Sequence, residues 1–163
     1  GVSIDKRAET WRAMEEIYAS GKAKAIGVSN YMVNHLVEME DYAVVMPMVN
    51  QFEFHPFLYN EELRSFCKAH NIVVQAHSQL ADVKGDKVES VKSIAKKYGK
   101  SPSQVFIRWS MQHGAVPIPK STHKERIAEN INVFDFELSG EDMSILDGLN
   151  ENLHVRADPT KFK

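Results

Sequence analysis

Four places along the chain gather side chains whose types could bind a ligand. Lys120 and Ser121 follow the apolar stretch Ala115-Val116-Pro117-Ile118-Pro119, and Arg126, Glu129 and Asn130 come shortly after. Spacings of three and four place residues 126, 129 and 130 on one face of a helix. A guanidinium can grip phosphate oxygens through two parallel hydrogen bonds, and a lysine adds a point charge. An ordinary solvated helix face would also carry Lys124, Glu125, Arg126 and Glu129, so the residues alone leave both readings open. Ser29 and Asn30 end a second apolar stretch, and Gln51 lies on a third. Hydroxyl and amide groups offer donors and acceptors without charge, which suits a neutral polar ligand as well as a strand-end turn. His77 and Ser78 end a fourth stretch, where an imidazole could stack on a flat ring.

Other reactive residue types are better explained by structure. Cys67 sits with Leu63, Phe66 and Ala69 on an apolar helix face, which reads as a buried thiol rather than a nucleophile. As a single cysteine it cannot form an internal disulfide, which suits a reducing compartment. His55 precedes Pro56 and reads as shaping a strand end. His35, His70, His113, His123 and His154 are scattered without metal-ligand spacing. No Walker loop and no defensible Ser-His-Asp set is present.

These residues need elements to position them. The chain has 163 residues, 43% hydrophobic and 26% charged, which fits one globular domain. A net charge of −2 recruits neither nucleic acid nor anionic membrane, and runs such as Ala43 to Val49 are too short to span a bilayer. The expected location is cytoplasmic. Trp11, Met14, Ile17 and Tyr18 mark a helix over Thr10 to Ser20, stopped by Gly21. Strands are expected at 25–29, 46–54, 72–76 and 115–119, with helices at 34–41, 61–70, 88–98, 102–114, 123–131 and 140–149. Asn60 could cap the third helix. Ser101-Pro102 fits a helix start, and Ser139 with Asp142 is spaced as a capping box. The tail from Asn150 to Lys163 has no periodicity and should lie as an irregular segment over another part. Short buried strands separated by helices imply parallel pairing, in a doubly wound sheet or a β/α barrel. No G-x-G-x-x-G turn follows any strand, which weakens the Rossmann alternative. The pattern opens on a helix, as half a barrel would.

Three segments carry a family resemblance in their order and spacing. They are Gly27-Val28-Ser29-Asn30, Asn50-Gln51-Phe52-Glu53-Phe54-His55-Pro56, and Ile118-Pro119-Lys120-Ser121 continuing to Arg126-Ile127-x-Glu129-Asn130. Trp11 to Glu15 and Val133 to Leu138 match the same phrasing. Over nearly its whole length the chain resembles the C-terminal half of an NADP-dependent aldo-keto reductase. That resemblance implies an α/β fold, a (β/α)8 barrel of the TIM type, with these four strands as five to eight. It implies reduction of aldehydes or ketones to alcohols with NADP(H), on a small carbonyl substrate whose identity is set largely by loops.

The resemblance also assigns roles. Ser29, Asn30 and Gln51 would hydrogen-bond the nicotinamide carboxamide. Lys120, Ser121 and Arg126 would engage the 2′-phosphate, and Glu129 with Asn130 the adenine. His77, Ser78 and Leu80 complete the expected cofactor set, although the segment His77-Ser78-Gln79-Leu80-Ala81 departs from the usual aromatic followed by Ser-Pro-Leu-Gly. The family's acid tyrosine, its lysine and aspartate helpers, and its orienting histidine come from the first half of the barrel. The expectation is therefore a chain inactive by itself, needing a missing N-terminal half or pairing with itself. A non-catalytic half-barrel module is the alternative.

Overall fold

The structure is a computed structural model describing residues 3–78 and 87–161. Its elements alternate as the apolar stretches require: α1 (Ile4–Ala19), β1 (Gly27–Ser29), α2 (Val33–Met39), β2 (Val49–Glu53), α3 (Glu61–Ala69) and β3 (Val73–His77). Then follow α4 (Lys87–Tyr98), α5 (Pro102–Gln112), β4 (Val116–Pro117), α6 (Lys124–Ile131), α7 (Gly140–Asp147) and a 3-10 turn at Pro159–Lys161. The four strands form a parallel sheet in chain order, β1-β2-β3-β4. Parallel neighbours need helical crossovers, and α2, α3 and the α4–α5 pair occupy those positions. The chain divides into two compact units, one of Gly1–Phe52, Glu61–Val74 and Arg156–Lys163, the other of Glu53–Asn60 and Gln75–Val155.

In the first unit β1 and β2 run in register, Gly27 beside Val49, Val28 beside Asn50 and Ser29 beside Gln51. The glycine is required there: a Cβ on Gly27 would lie 2.5 Å from the Val49 carbonyl oxygen. α1 begins six residues before the expected Thr10, because apolar periodicity misses polar helix formers. Its first turns are held by Arg7, whose Nε and Nη2 donate to Glu38 Oε1 at 3.0 and 2.6 Å. Trp11 is buried and donates from Nε1 to the Val45 carbonyl at 3.0 Å, whereas Ile17 is largely exposed. Gly21 ends the helix with φ +74°, a conformation glycine adopts without strain. Cys67 is fully buried, and burial pushes its thiol up to about 11 against a smaller opposing hydrogen bond with Asn50. It is a core residue.

In the second unit Gln75 pairs with Val116 and Ala76 with Pro117, and the Ile118 N–H donates to the Ala76 carbonyl at 3.0 Å. β4 is shorter than expected because Pro117 and Pro119 have no N–H to give. The core centres on Trp109, whose ring lies 4.6 Å from Phe54 and 4.7 Å from His113. Asp147 Oδ1 accepts from Trp109 Nε1 at 2.7 Å and lies 2.8 Å from His113 Nε2, so the indole N–H is satisfied.

Two helix starts follow the expected chemistry. Ser101 caps α5, with Pro102 in the first turn and Gln104 Oε1 accepting from the Ser101 N–H at 2.9 Å. Ser139 Oγ caps α7 by accepting from the Asp142 N–H at 3.2 Å. The reciprocal arm differs, since the Ser139 N–H donates to the Tyr98 hydroxyl at 2.9 Å. Aspartate is one methylene shorter than the glutamate of a full capping box. Asn60 also departs from expectation: with φ +48° it donates from Nδ2 to the Glu53 carbonyl at 2.9 Å. The irregular tail does lie over another segment, with the Glu151 and Leu153 N–H groups donating to the Phe57 carbonyl at 3.2 and 3.0 Å.

Candidate functional site

The strand ends hold the uncharged polar candidates. In the first unit the register sets Ser29 directly beside Gln51. Ser29 Oγ donates to the Gln51 carbonyl at 3.0 Å, and the Asn30 N–H donates to the same oxygen at 2.8 Å. Asn30 has φ +59°, a left-handed conformation that asparagine tolerates better than most residues. The chain therefore turns sharply as it leaves β1, and Ser29 and Asn30 are both exposed there. The next residue along is tied to β2 as well, through Asn50 Nδ2 donating to the Tyr31 carbonyl at 2.8 Å. The structure thus brings Ser29, Asn30 and Gln51 side by side where the chain leaves β1.

In the second unit His77 closes β3 and Ser78 takes φ +57°. His77 Nδ1 lies 3.1 Å from Ser78 Oγ, and both side chains are half-buried. Leu80 lies outside the described residues.

Lys120 and Ser121 occupy the turn between β4 and α6, immediately ahead of a helix N-terminus. Ser121 Oγ accepts from the His123 N–H at 3.1 Å and so fixes the turn, with His123 at the N-cap position of α6. Lys120 and Arg126 are exposed, and among the described residues neither has a carboxylate within ion-pair distance. Lys100, by contrast, is paired with Asp135 at 2.7 Å, and Lys97 with Asp142 at 2.7 Å. Unpaired cations beside a helix N-terminus can attract an anion, since the helix dipole adds to the side-chain charges. On the α6 face shared by residues 126, 129 and 130, burial rises from exposed Arg126, through half-exposed Glu129, to buried Asn130. That gradient suits a phosphate at the outer end and an apolar ring further in. The donor set fits a phosphorylated nucleotide.

Two arrangements were not legible as site features from the sequence. Ser101 Oγ donates to Glu129 Oε1, which couples the start of α5 to α6. Buried Glu53 lies 2.9 Å from His55 Nε2 and accepts from the Val155 N–H at 2.8 Å. The two-residue spacing of Glu53 and His55 across the end of β2 was the available signal for the second.

The sequence profile of the Aldo/keto reductase family matches residues 3–151, nine-tenths of the chain. The chain belongs to the aldo/keto reductase family. It is 49% identical over 97% of its length to glyoxal reductase from Bacillus subtilis, covering 57% of that protein. It is 48% identical over 96% of its length to 9,11-endoperoxide prostaglandin H2 reductase from Trypanosoma cruzi, covering 56% of that protein. Among solved structures, an aldo-keto reductase from a Medee basin deep-sea metagenome library superposes with TM-score 0.93 and 38% identity, over all of this chain and 61% of its own. A Bombyx mori aldo-keto reductase in complex with NADP superposes with TM-score 0.84 and 32% identity, over 91% of this chain and 52% of its own. The chain thus spans about half the length of the curated family members it matches.

Proposed function

We propose that this chain supplies the NADP(H)-binding half of an aldo-keto reductase that reduces aldehydes or ketones to alcohols in the cytoplasm. Its strands correspond in this reading to five to eight of an eight-stranded barrel. The observation that carries it is the pair Lys120 and Arg126, exposed, without ion-pair partners among the described residues, and flanking a helix start. The NADP complex of the Bombyx mori relative supports the choice of nucleotide.

When bound, the nicotinamide supplies a hydride to the carbonyl carbon. This chain's residues orient the cofactor. Ser29, Asn30 and Gln51 hold the carboxamide and so select the ring face presented to substrate. His77 would meet the nicotinamide ring, together with Ser78. Lys120, Ser121 and Arg126 take the 2′-phosphate, and Glu129 and Asn130 the adenine. The acid tyrosine and its partners come from the other half of the barrel, so the chain alone does not turn over.

A second reading, a non-catalytic module that binds nucleotide and pairs with itself, draws on apolar surface in the second unit. Ile127 is 54% exposed, Ile131 66% and Phe134 68%. Surface of that kind seeks a cover. Complementation separates the two readings. Chain plus a separately made N-terminal half should reduce a reactive aldehyde with NADPH, while either piece alone stays at background. Activity from this chain alone, lost on Lys120→Ala, would overturn the half-enzyme assignment; a mixture that stays inactive would favour the module.

A further inference from the structure

Glu129 is not left to find its own position. Its Oε1 accepts from Ser101 Oγ. Its own carbonyl accepts from Gln104 Nε2 at 3.1 Å, and the same amide nitrogen donates to the Asn132 carbonyl at 2.8 Å. Gln104 Oε1 in turn accepts from the Ser101 N–H at 2.9 Å. One residue pair at the start of α5 thereby holds both the backbone and the side chain of the last turn of α6. Gln104 is buried, with 6% of its surface exposed, and its side-chain oxygen and nitrogen are both engaged, so the clamp is a packed feature.

The clamp leaves Glu129 half-used. Among the described residues nothing hydrogen-bonds its second oxygen, Oε2, and the side chain is half-exposed. A carboxylate fixed by one oxygen presents the other as a directed acceptor, at lower entropic cost than a free glutamate side chain. An exocyclic amino group is a donor that such an oxygen can read.

We propose that Ser101 and Gln104 are positioning residues that aim Glu129 Oε2 at the 6-amino group of the bound adenine, making this clamp the determinant of base choice. The inference rests on the nucleotide reading of Lys120 to Asn130. Ser101 acts through Glu129 and does not itself touch the ligand. Discrimination follows from chemistry: replacing the amino group by the carbonyl oxygen of hypoxanthine sets an acceptor against the carboxylate, leaving both unsatisfied.

The test titrates the full chain with adenosine 2′,5′-bisphosphate and with inosine 2′,5′-bisphosphate by calorimetry. The unsubstituted chain should prefer the adenosine form by about tenfold or more, the size of one charge-assisted hydrogen bond. Ser101→Thr keeps the hydroxyl and should keep the preference. Ser101→Asp is still a good helix cap, but sets a second carboxylate against Glu129. It should erase the preference and weaken only the adenosine form. Ser101→Gly removes the hydroxyl with little loss of capping and serves if the aspartate variant melts early.

A merely structural role for Ser101 would weaken both ligands equally and leave their ratio intact, which would overturn the inference while the nucleotide site stands. Equal affinity of the unsubstituted chain for both ligands would overturn it too. Failure to bind either ligand would remove the nucleotide reading and the inference with it.

Discussion

Replacing Asp142 by asparagine should destabilise the second unit at neutral pH and progressively less in acid. Asp142 Oδ2 accepts from Lys97 Nζ at 2.7 Å, from the Tyr98 hydroxyl at 2.5 Å and from Ser139 Oγ at 2.7 Å. Burial alone would raise this carboxyl; the bonds from Lys97, Tyr98 and Ser139 outweigh it and bring it down to about 2. A carboxyl depressed in the folded state stabilises the fold above its unfolded value, and that contribution is lost as pH falls through the folded value. From 3.8 to about 2, the full effect is worth roughly 2.5 kcal/mol at about 1.36 kcal/mol per pH unit. Lys97 is 52% exposed, so solvent screens part of this, and about 1 kcal/mol is the expected cost at pH 7. About half of that should be gone by pH 3. Urea unfolding of both proteins at pH 7 and pH 3 measures it. An equal gap at the two pH values would mean that Asp142 acts by shape or neutral hydrogen bonding, and the charge argument would fail.

Other outcomes follow from local geometry. Gly27→Ala should lower the melting temperature, since its Cβ would meet the Val49 carbonyl at 2.5 Å and the Val49 Cβ at 2.9 Å. A cost of about 1–3 kcal/mol is expected from such overpacking, with weakened nicotinamide-nucleotide binding through the displaced Ser29 turn. Sedimentation of the chain at roughly tens of micromolar should show dimers or larger species, because β1 and β4 end the sheet and Val116, Ile131 and Phe134 are exposed. A sharp, folded monomer there would contradict the edge argument.

The sequence was most readable where a single interaction decides the local structure. Ser101-Pro102 and Ser139 are capped helix starts because hydroxyl and N–H groups lie within a few residues of each other, and Gly21 stops α1 for a purely local reason. Strand and helix identity survived throughout, while boundaries moved wherever polar residues did the work. The first turns of α1 depend on Arg7 meeting Glu38, 31 residues away, which no periodicity reveals. For the candidate site, the order of motifs pointed to Ser29, Asn30, Lys120 and Arg126, all at or near an element's end. The Ser101–Gln104 clamp was invisible because its partners on α6 lie 25 to 28 residues further on, and Ser101 already had a sufficient local role as a cap. Likewise, only a folded chain shows that Glu53 reaches the Val155 N–H across 102 residues.

The role proposed for Lys120 and Arg126 is binding of the 2′-phosphate of NADP. It is tested most directly by titrating the chain with NADPH and NADH, with and without Arg126→Ala. Arg126 is exposed and has no ion-pair partner among the described residues, so its truncation should leave the melting temperature almost unchanged. NADPH should bind more tightly than NADH, and Arg126→Ala should weaken NADPH by about 1.5–3 kcal/mol, a tenfold loss or more, with NADH barely affected. Equal losses for the two nucleotides, or no preference between them in the unsubstituted chain, would contradict it.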